Sequence, residues 1–390
     1  MLRDPHLKEW NRIVSAHFPH LSISQVTGLS LWSFGMAMAR TSSLTQVSEC
    51  LAQLNEERPN TVRQRLKAWY QDASAQSGEH RWEWQPQTCF APLLTWVLSL
   101  LPLSCRELFL AMDVTTQRER LSVLSVSVLY CGSAIPVAWK ILKGNQPDPW
   151  RPYWEQLFLA LHEVIPVDWQ VIVCADRGLY ADWLYDAIVA LKWHPFLRIN
   201  HRPDQTVQCL PDGDWHPLAS IVRLGEAWSG PVRCFRSHPI EGILLARWDE
   251  DYTAPWLVLT NLPPGHADVL WYRYRTWVED GDRDFKSDGW QWHHSRITDP
   301  KRAERHWLAM AVATLWMLTL GTRAQAQRAA LPKGPNPQPP RSTPKRSPAP
   351  PLSCFVLGVL GLPLLLMRPQ PLTLPPLVPK VTPAIALNSS

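Results

Sequence analysis

The segment ELFLAMDVTT (Glu107–Thr116) is an apolar run that breaks on a carboxylate, Asp113, and WQVIVCADRGLY (Trp169–Tyr180) repeats the arrangement with Asp176. Short apolar runs bounded by turn signals read as buried strands. A carboxylate at the end of such a strand is costly to bury without a partner, so two of them call for a sheet that brings both to one edge around a shared cation. This requirement limits the possible folds more than any other feature of the chain.

The surrounding pattern meets it. RLSVLSVSVLYCGSAIPVAWKIL (Arg120–Leu142) predicts two further strands around a turn at Cys131-Gly132-Ser133. A helix follows from about Tyr153 to Val164, then the strand ending on Asp176, a helix over Asp182–Lys192 and the strand FLRIN (Phe196–Asn200). Three consecutive strands, then helix, strand, helix, strand describe an α/β fold, a mixed sheet of the ribonuclease H type flanked by helices. The strands carrying Asp113 and Asp176 would then be parallel neighbours near its centre. Residues from about 201 to 268, broken by turns such as PDGD and WSG, predict a β-rich insertion, and RAERHWLAMAVATLWMLTL (Arg302–Leu320) a helix apolar on most sides and therefore buried.

Residues 1–75 read as an all-helical domain, with apolar faces at Leu44, Val47, Leu51 and Leu54 and at Val62, Leu66, Trp69 and Tyr70. The short polar turn between them, with Asn60 as the N-cap of the second helix, has a helix-turn-helix shape. Arg63, Gln64, Arg65 and Lys67 on its polar side suit a helix that binds DNA, or equally the solvated face of an ordinary helical hairpin. Residues 76–90 read as a linker, 91–325 as the catalytic domain with its insertion, and 326–390 as a Pro-rich, disordered tail.

A net charge of +5 suits a polyanionic partner without requiring one. The eight cysteines form no CxxC pair or zinc spacing, which points to reduced thiols and a cytoplasmic protein. The first residues lack the basic start, apolar stretch and small-residue cleavage site of a signal peptide, so export is not expected. Within the tail, LSCFVLGVLGLPLLLM (352–367) is short for a membrane span and contains Gly358, Gly361 and Pro363, so a helix docked on the protein is expected instead.

One charged stretch remains, YRYRTWVEDGDRDFKSD (Tyr272–Asp288). On an α-helix Tyr272, Arg275, Glu279 and Lys286 fall within an arc of about 60°. Such a stripe is either an ion-pair ladder or a face turned to a ligand. Asp280 and Asp284 point away from it, and Asp282 lies near its edge. These four residues fit Y-x2-R-x3-E-x6-K, and over about Arg40–Leu320 the chain resembles the IS4-type DDE transposases, with FLAMDVTT, AIPVAWKIL and VIVCADRGLYADWLYDAI similar to the segments around that family's first two aspartates. The aspartate at 282, where the family commonly has an aromatic residue, and Gly281 depart from its pattern.

The resemblance implies cut-and-paste transposition. Asp113, Asp176 and Glu279 would ligate two Mg²⁺ or Mn²⁺ ions, while Arg275 and Lys286 hold phosphates and Tyr272 packs on the same backbone. The implied partners are double-stranded DNA, as terminal inverted repeats and target, and a second copy of the chain when assembled on the ends, with no membrane. A tryptophan of the insertion, among Trp215, Trp228, Trp248 and Trp256, would stack on a flipped base. A nuclease on the same fold and a DNA-binding repressor or domesticated transposase-derived protein without strand transfer are the rival readings.

Overall fold

Cys131 and Gly132 both take positive φ, 51° and 79°, as a tight hairpin turn requires, and the chain reverses there between two long strands. In the computed structural model, which describes residues 2–76, 83–144, 149–286, 289–331, 352–368 and 371–378, four helices come first: α1 (Pro5–His17), α2 (Ile23–Ala39), α3 (Leu44–Asn55) and α4 (Pro59–Tyr70). α5 (Phe90–Leu100) leads into β1 (Glu107–Gln117), β2 (Leu121–Tyr130) and β3 (Ser133–Lys143). Then come α6 (Arg151–His162), β4 (Gln170–Ala175), α7 (Asp182–Ala190) and β5 (His194–Arg198). The insertion holds β6 (Thr206–Cys209), β7 (Trp215–Pro217), β8 (Ala227–Cys234), β9 (Ile240–Arg247) and β10 (Trp256–Thr260). A 3-10 helix over Val269–Thr276, α8 (Trp277–Lys286), α9 (Pro300–Ala330) and α10 (Cys354–Leu366) complete the order.

The strands form one sheet in the order β3-β2-β1-β4-β5-β10-β9-β8-β6-β7. Among the first five only β2 runs antiparallel to the rest, which is the ribonuclease H-like arrangement expected from the sequence. The insertion extends this sheet, because β10 pairs with β5. β1 does not end on Asp113, as the apolar pattern suggested; it runs on to Gln117, paired with β2. The parallel pairing with β4 does stop early, at Ala111 and Cys174. Asp113 and Asp176 each lie two residues beyond that last pair, so they leave the β1–β4 seam at the same edge.

The N-terminal helices share the main hydrophobic core rather than enclosing one of their own. Trp10 of α1 stacks on Trp316 of α9 at 4.2 Å between ring centroids. Arg305 of α9, with a side chain 2 % exposed, donates to the carbonyl oxygens of Tyr70 and Trp84 and pairs with Asp72 and Glu83. α4 begins at Pro59 with Arg58 in the cap position, so Asn60 lies inside the helix and not at its cap. α9 is long and apolar enough to cross a membrane, but 83 % of its apolar window is buried inside the protein.

The apolar segment near the C-terminus forms α10, which docks on α9 as expected. The two backbones touch at glycines: a Cβ on Gly321 would stand 1.6 Å from the Cys354 carbonyl oxygen, and one on Gly358 would stand 1.8 Å from that of Met317. Beyond it Leu377 donates its N–H to the Leu100 carbonyl, and Leu372 and Leu377 are buried in the core. The Pro-rich stretch over 332–351 lies outside the described residues.

Because Arg305 bonds to both sides of the 76–83 junction, Arg305→Met should destabilise the whole chain by about 3 kcal/mol, the lower end for breaking a buried ion pair. Chemical denaturation followed by tryptophan fluorescence should show one transition shifted as a unit. Early, separate melting of residues 2–76 would contradict a shared core.

Candidate active site

Asp113 occupies a strand whose neighbours Ala111 and Met112 are fully buried, and its own side chain is only 15 % exposed. Burial raises its pKa to about 6, and the nearby charges of Asp282 and Asp176 add to this, against the opposing charges of Arg275 and Lys286. Arg275, at the end of the 3-10 helix and 8 % exposed, reaches Asp113 Oδ1 at 2.6 Å and Asp176 Oδ2 at 3.7 Å. One guanidinium therefore gathers both strand-end carboxylates. Asp176, 47 % exposed, also accepts the Gly178 N–H at 2.9 Å, which shapes the turn after β4.

The other wall of the site is α8. It lies close against β3, and a Cβ on Gly281 would stand 2.9 Å from that of Ala134. The glycine is thus a packing contact and does not interrupt the helix. A cleft of about 370 Å³ is lined by Asp113, Thr115 and Thr116 of β1, by Arg275, and by Val278, Glu279, Asp282 and Lys286 of α8. Lys286 donates from Nζ to Thr115 Oγ1 and, at 3.1 Å, to Asp282 Oδ2; Thr115 Oγ1 in turn donates to Asp282 Oδ2 at 2.8 Å. This three-membered clamp fixes the direction of the ammonium group.

The residues of the charged stretch do not share one α-helical stripe. Tyr272 and Arg275 belong to the 3-10 turn and Glu279 and Lys286 to α8, and the change of helical pitch rotates the first pair away from the second. Arg275, Glu279 and Lys286 still line one cleft, with Glu279 exposed. Tyr272 does not reach it: only 4 % exposed, it packs edge-on against Trp256 with the Arg198 guanidinium over its ring. It therefore supports the site from behind and is not placed to lie along a nucleic-acid backbone. Among the described residues no group of three His, Cys, Asp or Glu side chains stands close enough to enclose a metal ion.

The donor set nevertheless fits a hard divalent cation, which takes oxygen ligands only and keeps water in part of its shell. Asp113 and Asp176 are two such donors already drawn around one positive charge, and Glu279 lines the cleft together with Asp113. Of the α4 residues expected on a DNA-facing side, Arg63, Gln64 and Lys67 are exposed, whereas Arg65 is paired with Glu57 at 2.7 Å. Trp256 is buried; Trp215, Trp228 and Trp248 are partly exposed. His293 Nδ1 is hydrogen-bonded to the Lys286 carbonyl at the end of α8. Sequence reasoning misses Thr115 and Arg198, and it places Asp282 only at the edge of the charged stripe. Thr115 was accessible to it, because this residue stands two positions after Asp113 and so shares its face of the strand. Asp282 and Lys286 are an i, i+4 pair.

Arg275→Met should leave Asp113 buried without its counter-charge and cost about 3–5 kcal/mol at neutral pH. Without the guanidinium the Asp113 pKa rises further above about 6, so protonation relieves the cost and the loss should shrink at pH 5. Urea denaturation of the variant at the two pH values measures this; an equal loss at both would separate Arg275 from Asp113.

Residues 150–316 match a family described as the transposase DDE domain. That span includes Asp176, Arg275, Glu279, Asp282 and Lys286 and excludes Asp113. No curated protein matches the chain. Among solved structures it is similar to the cryo-EM structure of a piggyBac transposase synaptic complex with hairpin DNA, with 10 % identity and a TM-score of 0.34 over 87 % of this chain and 85 % of that one.

Proposed function

We propose that the chain is a DDE transposase of the IS4 type that cleaves transposon ends and joins them to target DNA. The observation that carries the reading is the pair of carboxylates, Asp113 and Asp176, leaving parallel strands at one edge and held by one guanidinium, with Asp113 and Arg275 lining a cleft that Glu279 and Lys286 also line. The transposase family match over residues 150–316 supports it independently.

Asp113, Asp176 and Glu279 would hold two Mg²⁺ or Mn²⁺ ions, which supply an activated oxygen nucleophile and stabilise the leaving oxygen in phosphoryl transfer. Arg275 offers a planar fork of donors suited to phosphate oxygens once it shares Asp113 and Asp176 with another cation. Lys286, oriented by Thr115 and Asp282, presents a point charge to the same backbone. Both position the substrate and offset its charge without reading sequence.

Nicking of a plasmid carrying the DNA that flanks the encoding gene tests this directly. Mg²⁺ or Mn²⁺ should support cutting, and Asp113→Ala or Asp176→Ala should reduce it by about 100-fold or more, beyond the loss typical of outer-sphere partners, while DNA binding persists. Full cutting in chelator would sink the reading. A pre-cut end separates strand transfer from cleavage: a nuclease leaves it unjoined.

The clamp supports different roles for the acids of α8. Glu279→Gln should abolish cutting and joining. Asp282→Asn keeps an acceptor for Thr115 and Lys286 and should retain most activity, with Lys286→Ala between the two. Normal turnover by Glu279→Gln beside an inactive Asp282→Asn would show that Asp282 is the third ligand.

A further inference from the structure

Arg63 and Lys67 stand one turn apart on α4 and face the segment over 291–299, which carries Arg296, across a groove of about 680 Å³. All three cations are exposed. Neighbouring Arg65 and Arg302 are tied to Glu57 and Asp72, but no ion pair engages Arg63, Lys67 or Arg296 among the described residues. The acid on the lining, Asp299, caps α9 by accepting the Arg302 N–H at 2.9 Å. His306 adds no charge, because burial pushes its pKa down to about 4. The groove is therefore a site of uncompensated positive charge.

Its walls are joined to each other and to the catalytic strand. Ser42 donates its N–H to the Trp290 carbonyl at 2.7 Å, linking the N-terminal helices to the opposite wall. Gln117 donates from Nε2 to the carbonyl oxygens of Trp292 and Ser295 at 2.8 and 3.2 Å, and Arg120 donates to that of Ser295 at 3.0 Å. Asp113, Thr115 and Gln117 alternate along one face of β1, so the strand that carries the carboxylate also anchors the groove wall. At about 3.3 Å per residue, Gln117 lies about 13 Å along β1 from Asp113.

We propose that this groove is a second DNA contact, which holds backbone phosphates of the double strand away from the bond cut in the cleft. The proposal rests on the transposase reading for the identity of the polyanion. It also changes the role of α4: Arg63 and Lys67 face a groove closed by the opposite wall, which suits phosphate binding, whereas a helix reading base edges would project free into a major groove. The two cations and Arg296 grip from opposite sides and contribute charge without sequence preference.

The test measures affinity of the full-length protein for a duplex of arbitrary sequence across a salt series. Lys67→Ala with Arg296→Ala should weaken binding and reduce the slope of log K against log salt by about 1.8, roughly 0.9 for each phosphate that is no longer neutralised. Lys67→Arg with Arg296→Lys should restore both quantities. Arg328→Ala, at the far end of α9, should change neither. If the wild-type chain binds duplex and the double alanine variant keeps its slope, the groove proposal falls and the transposase reading stands. A reduced slope in a protein whose wild type never cuts DNA would keep the groove and remove the reading. A wild-type chain that binds no duplex removes both.

Discussion

A carboxylate inside an apolar strand cannot be left alone, and much of the candidate site follows from how Asp113 is compensated. Its pKa is pushed up to about 6 because desolvation outweighs the attraction of Arg275, so the charged form persists at neutral pH only with cations around it. Arg275 supplies the first of these and draws in Asp176 across the β1–β4 seam. The parallel register, which ends at Ala111 and Cys174, makes that possible by sending both chains past their last pair on the same side. A site already organised around one positive charge is suited to a divalent ion in chemistry as well as position.

α8 adds the polar wall. Its close approach to β3 depends on Gly281, where any side chain would collide with Ala134. Thr115 then ties Asp282 and Lys286 to the strand that carries Asp113, so the α8 ammonium is aimed by β1 itself. Two residues further on, Gln117 fastens the segment that forms one wall of the basic groove. One face of a single strand thus links the carboxylate, the lysine clamp and the groove.

The mixed sheet of the first five strands was legible because apolar runs, a Gly-containing turn and two helical periods leave few topologies to consider, whereas the insertion's continuation of that sheet through β10 was not. Asp113 and Asp176 were legible because acids in apolar strands are conspicuous. The end of β1 was misread for the same reason: a buried acid looks like a strand terminus, although here the strand passes through it and continues to Gln117. The Tyr272–Lys286 stripe was drawn on one α-helix, but helical periodicity does not distinguish a 3-10 turn, and that change of pitch buries Tyr272 beside Trp256. Arg305 was read as part of a helix that is simply buried. Its bonds to Tyr70, Trp84, Asp72 and Glu83 join segments more than two hundred residues apart, and no local pattern reports such contacts.

The central claim is that the Asp113–Asp176 pair is a divalent-ion site. The most direct measurement is anomalous diffraction from crystals of the full chain soaked in Mn²⁺. The account predicts a peak between the two carboxylates, abolished by Asp176→Asn, with the Arg275 guanidinium moved off Asp113. An intact Arg275–Asp113 ion pair with Mn²⁺ bound elsewhere, or with none bound, would contradict it.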